Sequence, residues 1–126
     1  MTLIRNFNHS IALLPSAARV ATINSADQEN LKARGLHVII DVTLDPAAAS
    51  ITPTIQSRDP LSGTYHDLLV GNAIVAVGTT ILKVYPGIAV SANAAASDIL
   101  PRVWRLRMVH ADGDSITYSV GAELVI

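Results

Sequence analysis

A chain of 126 residues fits a single domain and is long enough to bury roughly two-thirds of the surface its unfolded form exposes. Apolar residues make up 50%, aromatic residues 4% and charged residues 15%, against a usual charged share of about 25%, so Ala, Val, Ile and Leu must fill the core and an interface must cover part of the surface. A net charge of -1 excludes a general affinity for nucleic acid or anionic membrane, and the lack of cysteine excludes disulfides, thiolate nucleophiles and thiolate metal sites.

No apolar stretch is long and unbroken enough to span a bilayer. Arg5 ahead of the apolar residues 11–18 gives a faint likeness to a signal peptide, but Asn6, Asn8 and His9 interrupt its approach. The chain reads as cytosolic in origin, or as assembled in a cytosol. Residues 1–16 lack a sustained period, yet they carry Leu3, Ile4, Phe7, Ile11, Leu13 and Leu14, which a free tail would not need. They are expected to form an extended arm whose apolar side chains dock on a neighbouring subunit; a first edge strand of the same domain fits equally well. The domain proper is then residues 17–126.

Alternation over residues 18–24 predicts a short strand. In SADQENLKARG, Ser25 or Asp27 can cap a turn or one short helix that Gly35 ends. Residues 35–44 give the clearest strand, with Leu36, Val38, Ile40, Val42 and Leu44 on one face. Ile51, Pro53 and Ile55 alternate with Thr52, Thr54 and Gln56; Pro53 puts this strand at an edge or turns its missing donor away from the neighbour. Asp59-Pro60-Leu61-Ser62-Gly63 is a strong turn, followed by a strand over residues 65–70. Residues 72–77 and 79–85 read as two further strands broken at Gly78. Small residues dominate 88–99, with room for a one-turn helix at 94–98.

The last stretch carries the only Trp. Trp104, Leu106, Met108 and His110 share one strand face, and Ile116, Tyr118, Val120, Ala122 and Leu124 share another. Asp112-Gly113 between them predicts a hairpin, and a three-residue loop from Asp112 to Asp114 matches the apolar faces by pairing Met108 with Tyr118 and Leu106 with Val120. Trp104, Leu106, Tyr118 and Val120 are expected in the core with Val38, Ile40 and Val42. About eight short strands, turn signals every eight to twelve residues and little helix give an all-β antiparallel β-sandwich or jelly roll with an N-terminal arm.

Residue chemistry points away from catalysis. His110, Asp112 and Asp114 suit a turn, and the spacing and distal Glu of an EF-hand are missing. His66 and Asp67 are adjacent on a strand and face opposite ways. His37 and Asp41 lie roughly 13 Å apart along theirs. Ser16, Ser25 and Ser62 lie in no nucleophile elbow, and Gly35 and Gly87 in no phosphate-cradling run. No catalytic, cofactor or metal residue is assigned, and the protein is expected not to be an enzyme. Arg105 and Arg107 share one face with Trp104 on the other, so no aromatic interleaves with them as a nucleic-acid platform needs. They are read as a solvated or partner-facing strand side, and in the sharper form of that reading they pair with carboxylates of a partner protein.

Four segments together resemble small virion structural proteins of tailed bacteriophages: NSADQEN…ARGLHVIIDVT (24–43), TPTIQSRDPLSGTYHDLL (52–69), LKVYPG (82–87) and LPRVWRLRMVHADGDSITYSVGA (100–122). The resemblance implies a non-enzymatic, multi-copy virion component with a β-rich fold. The placement it favours is a head decoration, or cement, protein that binds the major capsid protein and copies of itself and braces the capsid lattice. The expected partner interface is Leu3, Ile4, Phe7, Ile11, Leu13, Leu14, Arg105 and Arg107. A tail or baseplate accessory domain is the alternative, and a carbohydrate-binding host-attachment module is a third reading. Low charge density, no cysteine and an apolar arm suit a symmetric shell component independently.

Overall fold

Residues 8–126 are described by the computed structural model. Among them there is no helix. The strands are β1 (His9–Arg19), β2 (Ile23–Asn24), β3 (Gln28–Glu29), β4 (Gly35–Leu44), β5 (Ile51–Arg58), β6 (Tyr65–Val70), β7 (Gly78–Val84), β8 (Ala95–Ala96), β9 (Val103–His110) and β10 (Ile116–Val125). One sheet runs β1-β10-β4-β7-β8 and the other β2-β9-β5-β6, with β3 beside β2 on the same edge of β9. All pairs are antiparallel except β7 with β8.

The pairing is nested. β1 pairs with β10, β2 and β3 with β9, β4 with β7, and β5 with β6. A long antiparallel hairpin rolled on itself has this order, and the contacts β10–β4 and β9–β5 close the roll. With β2 and β3 as one interrupted strand and β8 an addition at the edge, the result is an eight-stranded jelly roll.

The core forms where period-two faces meet. β4 turns in Leu36, Val38, Ile40 and Val42, β10 turns in Ile116, Tyr118, Val120 and Ala122, and β9 faces them with Trp104, Leu106 and Met108, all buried. The expected core of Trp104, Leu106, Tyr118 and Val120 with Val38, Ile40 and Val42 is thus present. Its expected hairpin is not: β9 and β10 belong to different sheets. Tyr118 registers with Val42, and Val120 with Ile40, while Leu106 registers with Ile55 and Met108 with Pro53. Residues 111–115 cross the sandwich. Two apolar faces meet as well across a core as across a ladder, and β10 gains two ladder neighbours by crossing.

Of the two readings of residues 1–16, the edge strand holds over residues 9–16 and the docking arm does not. β1 is an intramolecular edge strand that continues through the expected boundary at residue 16. Leu13 and Leu14 are both buried in the domain's own core, and Ile11 packs against it. A register shift between Ala12 and Leu14 inserts one residue, and such a bulge lets two successive side chains point inward. The same bulge erases the period-two signal. Leu3, Ile4 and Phe7 lie outside the described residues.

Neither expected helical turn forms. Ser25 extends the β9 ladder, donating its N–H to the Leu106 carbonyl (2.8 Å) and accepting the Leu106 N–H on its hydroxyl (2.9 Å). Residues 95–96 are the short strand β8. Residues 72–77 are a loop rather than a strand, clamped by reciprocal backbone bonds between Ile51 and Ile74. Pro53 sits in an interior strand. Its carbonyl accepts from Gly71 (2.8 Å), so its nitrogen also faces the β6 side and costs the β9 ladder no donor.

Candidate interaction surfaces

Three regions carry polar or exposed apolar groups beyond what folding needs: the outer face of the β2-β9-β5-β6 sheet, a polar contact inside one end of the sandwich, and the two loop-bearing ends.

On the outer face, β9 presents Arg105 and Arg107. Arg105 Nε donates to Gln56 Oε1 (2.8 Å), and Gln56 Nε2 donates to Asp67 Oδ1 (2.9 Å). The Arg105 guanidinium stacks on the Tyr65 ring 3.4 Å from its centroid. Tyr65 reaches across to donate its hydroxyl to Asp27 (2.7 Å), which also pairs with Arg58 (3.3 Å). The bond to Asp27 holds the Tyr65 phenol above its usual pKa, because ionisation would remove the donated proton. Gln56 and Thr54 are buried beneath this layer. Arg105 is therefore held by neighbours within the chain. Arg107 Nε is buried with no hydrogen-bond partner among the described residues. The sequence placed both arginines outward but gave no sign of Tyr65, whose position depends on three strands in register.

Inside the sandwich, His110 Nε2 lies 2.9 Å from the Tyr118 hydroxyl, joining the two sheets. Arg19 covers the Tyr118 ring at 4.6 Å and donates to the carbonyls of Pro15, Ala17 and Tyr118. Burial pushes the Tyr118 phenol up to about 12 and pushes His110 down, Arg19 adding to the depression of His110 and Asp112 opposing it. His110 Nδ1 is buried without a partner among the described residues. Either neutral tautomer leaves one hydrogen of the pair without an acceptor, and protonation would add a second.

The other candidates are dispersed. Asp112 and Asp114 are exposed while His110 turns inward, and His66 and Asp67 are each exposed on β6. Among the described residues no group of three or more His, Asp or Glu is arranged to hold a metal, and no helix is long and apolar enough to cross a membrane.

The two ends differ. Where β1, β4, β6 and β9 finish, Val20, Leu44, Val75 and Val77 are exposed, beside a depression of about 340 Å³ formed by residues 72–80. At the opposite end Leu31, Leu61 and Ile99 are exposed, and a cavity of about 330 Å³ lies among His9, Leu31, Ala33, Leu124 and Ile126.

No protein-family model and no curated protein matches this sequence. Among solved structures the chain is similar to the Yersinia pseudotuberculosis-derived mitogen, at 13% identity and a TM-score of 0.52 over 97% of this chain and 88% of that one. It is also similar to infectious bursal disease virus structures. The Gt strain matches at 12% identity and a TM-score of 0.48 over 96% of this chain and 33% of that chain. The Gx strain matches at 13% and 0.48, over 95% and 32%. The chain thus spans about a third of the viral chains, and at 13% identity the mitogen shares a fold with this protein and nothing further is implied.

Proposed function

We propose that this protein is a non-enzymatic structural component of a bacteriophage virion, a head decoration protein that binds the major capsid protein and braces the lattice, with copies of itself as further neighbours. The observation that carries the reading is large aliphatic side chains exposed at both ends of the sandwich. In a free monomer these are an aggregation liability; in a shell component, neighbours cover them from more than one side. The likeness of its strand-and-turn segments to small phage virion proteins supports the same reading. A glycan-binding module is less well supported, because Trp104 and Tyr118 are fully buried and cannot serve as a sugar platform.

Immunogold electron microscopy of particles from the encoding phage tests the proposal. Label on the heads is expected. Label on the tails would favour the accessory tail or baseplate reading, and intact virions without label would overturn a virion role.

A further inference from the structure

The register of the β1-β10-β4-β7 sheet brings four exposed aliphatics to one end of the molecule. Arg19 pairs with Ile116, Thr117 with Leu44, and Val42 with Gly78, so Val20, Leu44 and Val77 lie at the ends of β1, β4 and β7, with β10 between the first two, across three strand spacings, roughly 15 Å. Val75 follows in the loop clamped at Ile74. These four side chains are between 55% and 60% exposed. The two bonds between Ile51 and Ile74 hold the loop and its depression in place before any partner arrives.

Around this apolar centre the charges are one-sided. Asp41, Asp112 and Asp114 are exposed toward this end, while Asp45 accepts the Ala49 N–H and keeps its second oxygen buried; among the described residues the cation beside them is Arg19, whose guanidinium is spent on three carbonyls and the Tyr118 ring. The described ion pairs, Arg58–Asp27 and Arg102–Glu29, lie elsewhere. At the opposite end Lys32, Arg34, Arg58 and Arg102 intermingle with carboxylates, giving no such asymmetry.

We infer that the end bearing Val20, Leu44, Val75 and Val77 docks on a different protein, one that presents an apolar contact rimmed by Lys or Arg. Charge complementarity selects that occupant. A second copy meeting this surface across a two-fold axis would set three carboxylates against three. The inference rests on the virion reading above and names which surface meets the capsid.

The test is occupancy on particles purified from phage carrying variants of the full chain, with folding checked by thermal melting. Val75→Asp with Val77→Asp should lower occupancy about tenfold or more, and Leu61→Asp at the opposite end should leave it unchanged. Asp112→Lys with Asp114→Lys, on an exposed loop, should lower it as well and decides the matter if the valine variant does not fold. Wild-type occupancy in both double variants, or loss with Leu61→Asp alone, overturns the docking surface while the virion role stands. Absence of the wild-type protein from virions overturns both.

Discussion

Trp104 has no exposed surface, and its Nε1–H has no hydrogen-bond partner among the described residues; packing alone holds the ring there. Truncation to Ala should cost about 3 to 5 kcal/mol, read as a lowered urea midpoint; an unchanged midpoint would remove Trp104 from the core. His110 makes a second prediction, of pH dependence. Burial lowers its pKa below 6.5, so as pH falls the unfolded chain takes up this proton before the folded one does. The contribution is fully present above pH 6.5 and is lost as pH falls from there through the lower folded value. Urea titrations at pH 7.5 and pH 5 should show a stability loss in the wild type that is smaller in His110→Gln.

At the scale of elements, β1 decides whether the first residues are arm or core. Leu13 and Leu14 each supply about 1.5 to 3 kcal/mol of burial, and β1 also covers the edge of β10. Deleting residues 1–16 should therefore unfold the domain or greatly lower its melting temperature; a deletion variant that melts like wild type would restore the arm. Gly35 opens β4 at a point where an added Cβ would meet the Tyr85 ring and the Val84 carbonyl. Gly35→Ala should lower the melting temperature far more than Gly113→Ala, whose Cβ would meet nothing. Strand faces were legible wherever period two ran unbroken, as in β4, β9 and β10. Neighbours were not, because a face records that a side chain points inward and says nothing of which strand lies alongside. The bulge at Leu13 hid β1, and the apolar run 73–77 resembled a strand although only Ile74 among them is buried. Arg105 and Arg107 could be placed outward from their own strand, whereas the stack on Tyr65 requires β6, β5 and β9 in register, which no local pattern encodes.

The whole molecule is built by pairing its most distant segments: His9 registers with Leu124, and Leu36 with both Leu124 and Val84. Closing such separations before any contact repays the cost makes folding slow. Stopped-flow refolding is expected over milliseconds to seconds, and a microsecond phase carrying the whole amplitude would contradict the nested order. The positions of β9 and β10 also constrain how the protein can be made. Both are interior strands, one in each sheet, and both come last. A ribosome that has delivered everything before residue 103 has produced two sheets with their middles missing: β1 stands apart from β4, and the β2–β3 edge has nothing to lie against. A message broken within β9 or β10 is expected to leave open ladders for chaperones and proteases to find.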